Sequence, residues 1–370
     1  MQLAYPAYSA TGHILYERST GTFGIWALPF SLSKLEATGE PFLVVQGGAR
    51  PSVANDGTLI YTTEGSSLKQ MARVDRKGEI IGLLGSPMVL DGPAFSPDGK
   101  RIAVAAFDSG TYNILLFDLL RDSKIRLTFA SRVSINPSWS PDGRMVVFNT
   151  VAPDEVWSAL ADGSGQEHRL VSGYRPRLAG ASPPAPHIVF EARGQGNNRT
   201  EIHLAPYRGP ASAIDPKSAR AAVGGGGGAA NQEYPAVSPG GGFLAYQSDE
   251  SGGYQVWIRR FPDGEGQWRV SSEGGGDPRW SRDGRELFFR NSATNTLLVV
   301  EIQTGATISL STPQTLFSAD KIGAVLTDGY DVAPDGKSLV VVINSTAGND
   351  QHGIAMVQNW FAEFRERQKK

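Results

Sequence analysis

Hydrophobic positions in this chain fall in short runs bounded by polar turns. Arg101-Ile-Ala-Val-Ala-Ala106 and Glu286-Leu-Phe-Phe289 each follow an Asp-Gly pair, and a second run follows across a polar loop, as in Tyr112-Asn-Ile-Leu-Leu-Phe117 and Tyr254-Gln-Val-Trp-Ile-Arg259. Such runs are rich in β-branched and aromatic residues and too short for a 3.6-residue apolar rhythm, so they predict strands. The tail differs. Asn359-Trp-Phe-Ala-Glu-Phe364 followed by Arg-Glu-Arg-Gln-Lys-Lys370 predicts a short helix capped by Asn359, with Trp360, Phe361 and Phe364 on one side and basic residues at its C-terminal end.

One phrase organises the strands. It reads Pro93-Ala-Phe95-Ser-Pro-Asp98-Gly99, then Pro137-Ser-Trp139-Ser-Pro-Asp142-Gly143, Pro235-Ala-Val-Ser-Pro-Gly-Gly241, Pro278-Arg-Trp280-Ser-Arg-Asp283-Gly284 and Tyr330-Asp-Val-Ala-Pro-Asp335-Gly336. Weaker copies start at Pro6 and Pro51, and an eroded one spans Pro176 to Pro184. The glycines recur mostly every 42 to 45 residues, with a double step between Gly143 and Gly241 that contains the eroded copy. That period, with strands rather than helices inside it, predicts an all-β propeller: a single ring of about eight four-stranded blades, or seven if one end unit only closes the edge. The blade from Pro93 would place strands at 93–96, 100–106, 112–119 and 124–129. The propeller is expected over residues 1–358 and the helix, packed on it, over 359–370.

The anchors resemble the TolB-like, or PD40, class of WD40-like β-propeller repeats. The stretch Tyr246-Gln-Ser-Asp249-Glu-Ser-Gly252-Gly-Tyr-Gln-Val-Trp-Ile-Arg-Arg-Phe261-Pro262, then Gly275-Gly276-Asp-Pro-Arg-Trp280 through Phe289, is similar to the propeller found behind many bacterial serine/threonine protein kinases. Leu35 to Pro41 and Asn359-Trp360-Phe361 fit the same pattern. The resemblance covers nearly the whole chain. It implies a propeller that senses or binds, with chemistry left to a kinase domain whose motifs are absent here. The consensus fails at Ser182-Pro-Pro184 and at Gly240-Gly241, where Asp-Gly is lost.

Composition narrows the function classes. A formal charge of -2 provides no field for nucleic acid, and no apolar run reaches the length that spans a membrane, so neither partner is expected. The chain has no Cys, which removes thiolate chemistry, and the start at Met1 lacks the pattern of a signal peptide. The compartment is left open, cytoplasmic or periplasmic, and a monomer is expected. His13, His168, His187, His203 and His352 fall in different repeats, with only His187 and His203 placed to meet across adjacent strands; no metal or cofactor site is expected. No Gly-x-Ser-x-Gly elbow occurs. Gly224 to Gly228 lacks the Lys-Ser/Thr of a phosphate loop and reads as a flexible connection. The Asp of each Asp-Gly pair reads as a turn residue rather than a calcium ligand.

The candidate site comes from the positions just before each anchor. There stand Arg50, Asp91, Arg175, Glu233, Tyr234, Asp277 and Asp328, among others, at the mouth of the expected central channel. Guanidinium, carboxylate and phenol groups together can read a polar ligand by ion pairs, hydrogen bonds and stacking. A bland alternative is a hydrated entrance whose charges satisfy one another. The favoured function is a non-enzymatic binding or sensory propeller for a small polar molecule or a protein partner. Its competitors are a hydrolase or lyase using the same carboxylates and arginines, and an interaction scaffold using the blade rims.

Overall fold

The computed structural model describes residues 3–18, 24–63, 68–151, 153–164, 166–172, 178–182, 187–193, 199–207, 214–223, 230–263, 265–305, 308–345 and 353–367. These form antiparallel sheets and one short α-helix, Trp360–Arg367. The expected all-β propeller with four-stranded blades is what the chain builds.

Two compact units divide it: Met1–Leu68 with Ser109–Thr111 and Ser345–Lys370, and Lys69–Asp108 with Tyr112–Asn344. The larger unit holds six sheets, which we number as blades by their inner strands: Leu90–Phe95, Val133–Trp139, Leu178–Ser182, Gln232–Val237, Gly276–Trp280 and Ala324–Val332. Each inner strand lies against the next, and the sixth lies against the first, so the ring closes with six blades. This corrects the single ring of about eight, or seven, blades. The eight anchors do open eight sheets, but two of these belong to the other unit. The anchor phrase marks the start of a sheet; membership of the ring is decided by which sheet the inner strand meets.

Closure uses strands distant in sequence. Blade 6 takes its inner two strands from Ala324–Val332 and Ser338–Asn344 and its outer two from Lys69–Asp75 and Ile80–Met88. Blade 1 is regular: Leu90–Phe95, Arg101–Asp108, Thr111–Asp118 and Ser123–Arg126. Between blades the faces interdigitate; Ala103, Ile114 and Leu116 of blade 1, for example, pack with Trp139, Val146 and Phe148 of blade 2.

The phrase itself explains the blade spacing. In the Ser-x-Asp-Gly turn the serine hydroxyl donates to the aspartate, at 2.6 Å for Ser96 and Asp98, 2.6 Å for Ser140 and Asp142, and 2.7 Å for Ser281 and Asp283. The same Oγ accepts the N–H that opens the second strand, from Arg101, Met145 and Glu286. The glycine takes positive φ, and it faces the phrase proline of the preceding blade: a Cβ on Gly99 would lie 3.3 Å from the Pro334 ring, and one on Gly143 3.4 Å from Pro97. Trp139 and Trp280 add a bond in the same direction, each indole N–H donating at 2.9 Å to an inner-strand carbonyl, of Ala94 and of Ala236.

The smaller unit contains a five-stranded sheet, from Leu3–Ser9, His13–Arg18 and Gly24–Ser31 with Glu36–Ala37 and Phe42–Gln46, and a three-stranded sheet of Gly353–Val357, Leu59–Thr63 and Gly48–Val53. Its core joins Leu15, Ile25, Ala27 and Leu59 to Trp360 of the helix. Asn359 sits in the left-handed region at φ 47°, and the first helical N–H, of Trp360, donates to the Gly57 carbonyl at 3.0 Å.

Candidate binding channel

The inner strands of the ring share a distortion. In five blades the register slips at the anchor, between Asp91 and Ala94, Ile135 and Ser138, Glu233 and Ala236, Gly276 and Arg279, and Val325 and Tyr330, while in blade 3 it slips later, between Ala179 and Ala181. At that bulge one residue takes a left-handed backbone: Gly92 (φ 63°), Asn136 (52°), Tyr234 (55°), Asp277 (57°) and Asp328 (52°). Four of these are not glycine, and three precede proline, where this conformation is further disfavoured. The strain is held by hydrogen bonds from outside the strand. Glu191 Oε1 accepts Tyr234 N–H at 2.7 Å, Gln247 Oε1 accepts Asp277 N–H at 3.2 Å, and Asp277 Oδ2 accepts Asp328 N–H at 2.7 Å. In blade 6 the bulge is wider, and Gly329 is required there because a Cβ would meet the Val325 carbonyl oxygen at 1.8 Å.

The bulge resets which side chains face inward. A channel of about 590 Å³ runs along the inner strands, with Gly92, Asn136, Tyr234 and Asp328 at the bulge level, and Pro97, Pro141, Pro239, Arg282 and Pro334 at the far end. Between these levels the wall is made by Ala94, Ser138, Ala236, Arg279 and Asp331, the residue after each anchor position. Arg279 and Asp331 are the charged groups at this waist among the described residues, and neither was among the expected site residues. The signal that could have found them was the Arg and Asp at a position that is Ala or Ser in five of the eight copies and Arg177 in the eroded one.

Arg279 is fixed in place. Its Nη2 lies 3.0 Å from Oδ1 of Asp277, its Nη1 donates to the Pro278 carbonyl at 3.0 Å, and its guanidinium sits 5.6 Å from the Tyr330 ring. Asp277 is fully buried and also faces Nε of Arg290 at 3.7 Å, while the Tyr330 hydroxyl donates to its backbone carbonyl at 2.5 Å. Burial pushes the Tyr330 phenol up, and the Asp277 charge pushes in the same direction. Asp331 accepts the Phe95 N–H of blade 1 at 2.7 Å, and burial raises its carboxyl above the ordinary range despite the opposing pull of Arg279.

The seven expected residues have different fates. Tyr234 and Asp328 line the channel. Asp277 lies behind Arg279, and Glu233 joins it indirectly: Gln247 Nε2 donates to Glu233 at 2.9 Å while the same amide's oxygen holds Asp277 N–H. Three of the seven, Glu233, Asp277 and Asp328, thus lie on one hydrogen-bonded path across blades 4, 5 and 6. Glu233 also acts on Tyr254, whose phenol is pushed up to about 12, first by burial and then by Glu233 and Asp249. Asp91 accepts its neighbour Gly92 N–H at 3.0 Å and faces Lys69 at 4.0 Å, outside the channel lining. Arg50 belongs to the smaller unit, where its N–H donates to Glu17 and its guanidinium lies 5.7 Å from the Tyr5 ring; it is not grouped with the others. Arg175 lies outside the described residues.

His187 and His203 do not oppose each other: His203 stands across from Phe190 and bonds Glu201, whereas His187 stands across from Pro206. Among the described residues no group of three or more His, Cys, Asp or Glu is arranged to hold a metal ion. No described helix is long and apolar enough to cross a membrane. The phrase aspartates Asp98, Asp142 and Asp283 serve the turns, and their serine hydrogen bonds hold their carboxyls below the ordinary range.

Similarity to known proteins bears on the fold. No family model matches the chain. A stretch of 98 residues is 30% identical to an uncharacterized protein of Agrobacterium fabrum, a match covering 26% of this chain and 33% of that protein. The chain therefore spans about a third of that relative. Among solved structures, a putative TolB from Agrobacterium tumefaciens superposes with a TM-score of 0.56 at 16% identity, over 76% of this chain and 99% of that one. TolB from Acinetobacter baumannii gives 0.50 at 18% identity, over 91% and 79%. The fold is that of a TolB-like β-propeller. Hydrazine synthase of Kuenenia stuttgartiensis contains a similar architecture, with a TM-score of 0.52 at 14% identity over 83% and 94%, which shows how widely this fold is shared.

Proposed function

We propose that this TolB-like propeller is a binding or sensory module that takes a small polar ligand in the channel of its six-bladed ring. The fold supports a binding or protein-interaction role at the coarse level, and the resemblance of Tyr246 to Phe289 to kinase-associated propellers favours sensing within it. The observation that carries the reading is Arg279: a guanidinium at the waist of a channel of about 590 Å³, oriented by a fully buried carboxylate on its own strand. Channel size falls within the range of small-molecule sites, and a pre-oriented charged group is what such sites use to select a ligand. Carboxylates that a hydrolase or lyase would need are engaged differently: Asp277 holds Arg279 and the Asp328 backbone, and Glu233 holds Gln247.

Native mass spectrometry of the protein recovered from its own organism tests this. The expected result is a small molecule bound at one per chain that is lost from Arg279→Gln while the fold is kept. A molecule retained equally by the wild type and by Arg279→Gln and Tyr234→Ala would place the site elsewhere.

A further inference from the structure

We propose that the channel ligand is a small monocarboxylate, one oxygen of which is received by the Arg279 guanidinium and the other by the Asp331 carboxyl. This rests on the channel reading above. Arg279 and Asp331 occupy equivalent positions on the neighbouring blades 5 and 6, both in the channel lining. Each is held from behind, Arg279 by Asp277 and Asp331 by the Phe95 N–H, so what remains faces inward. A guanidinium and a carboxylic acid side by side form a donor pair that matches the two oxygens of a carboxylate.

Charge balance selects the class. The charged residues of the described lining are Arg279, Arg282, Asp328 and Asp331, and with Asp331 protonated in the complex they leave a balance of one positive charge. That suits a monoanion better than a phosphate dianion or an amine. Among the described residues the other positions at this level, Ala94, Ser138 and Ala236, are small and uncharged, and the Trp139 indole N–H is already spent on the Ala94 carbonyl. It leaves room for a short, mostly uncharged ligand body.

Asp331 must carry a proton to receive a carboxylate. Burial already raises its carboxyl, and an incoming anion raises it further, while Arg279 opposes both. The other groups around it are Asp277 and Arg290 from blade 5 and Asp328 and Tyr330 from blade 6. Blade 1 contributes the Phe95 N–H, with Asp91 held near Lys69. Binding therefore takes up a proton, and affinity rises as pH falls.

Calorimetric titration with acetate, propionate, lactate and benzoate tests this, against the matched amides, ethylammonium and inorganic phosphate, between about pH 7.5 and about pH 5.5. Carboxylates should bind at least about tenfold more tightly than their amides, and more tightly at the lower pH, by up to about tenfold per unit. Asp331→Asn should keep binding but flatten the pH dependence, because its amide donates without titrating. Arg279→Gln should lose about tenfold or more at both pH values, with Arg279→Lys as the variant that keeps a charge beside Asp277. Amides binding as well as acids, a pH dependence that survives in Asp331→Asn, or no carboxylate binding up to tens of millimolar overturns the proposal. If phosphate or ethylammonium binds instead and Arg279→Gln abolishes it, the carboxylate assignment fails and the channel reading stands. If a bound probe ignores both channel variants, the channel reading fails too.

Discussion

At the residue scale the phrase Ser-Pro-Asp-Gly shows what the sequence discloses and what it conceals. Asp-Gly is recognisable as a turn because only a few residue types suit positive φ and local side-chain bonding. The serine is harder to read, since nothing in a run of small polar residues shows that one hydroxyl closes the turn and receives the next strand. Ser140 is buried, donates to Asp142 and accepts Met145 N–H at 3.0 Å. Ser140→Ala should therefore cost about 1–2 kcal/mol in chemical denaturation, for the lost bonds and the N–H left unmet. The pH behaviour follows from Asp142. Its carboxyl is depressed in the folded state, chiefly by Ser140, so its contribution is present above the unfolded carboxylate range and is lost as pH falls through the folded value. The wild type should lose more stability on acidification than Ser140→Ala, and equal losses in the two proteins would remove the serine from this role.

At the element scale the inner strand is governed by its bulge. The sequence showed polar variation ahead of each anchor, and Tyr234 and Asp328 do line the channel. What it could not show is the register slip, which sends Asp277 into the wall and brings Arg279 and Asp331 to the waist. Simple alternation along an unbroken strand cannot follow a side chain past an extra residue. Arg50 misled for a different reason, since its repeat opens a sheet of the other unit. The left-handed residue at the bulge gives a direct check. Asn136 stands at φ 52° before Pro137, and asparagine tolerates that region while a β-branched residue does not. Asn136→Val should destabilise by about 1–3 kcal/mol and Asn136→Gly by much less, measured as urea midpoints. Equal effects of the two would show that the side chain, and not the backbone, matters at this position.

At the scale of the whole molecule the repeat foretold the number of sheets and not their grouping. Eight similar phrases look alike whether they build one ring or a ring and a second unit, because the deciding contacts, such as that of Ser338–Asn344 with Lys69–Asp75, join segments far apart in the chain. The C-terminal helix was legible from its aromatic spacing, and its anchoring can be tested through His13. Trp360 is 1% exposed; its indole N–H donates to Ser9 Oγ at 3.2 Å, and the Thr11 N–H donates to the same oxygen at 3.3 Å. With both lone pairs occupied, Ser9 donates its own proton to Thr11 Oγ1, at 2.8 Å, and Thr11 Oγ1 in turn shares a hydrogen bond with His13 Nδ1 at 3.1 Å. His13 is packed against Phe361 with ring centroids 4.7 Å apart and edge-on to Trp360 and Phe42. Burial lowers its basicity, outweighing the Thr11 backbone bond that raises it. Because the folded value lies below the unfolded one, the stability linked to His13 is present above about pH 6.5 and is lost as pH falls through the folded value. Trp360→Ala should cost about 3–5 kcal/mol in the smaller unit at neutral pH. Acidification to about pH 5.5 should weaken that unit in the wild type and leave His13→Gln nearly unchanged, since glutamine can hydrogen-bond with Thr11 without titrating. Urea midpoints followed by hydrogen exchange in the Leu3–Arg18 strands would read both effects, and an identical pH response in the wild type and His13→Gln would detach the histidine from the helix.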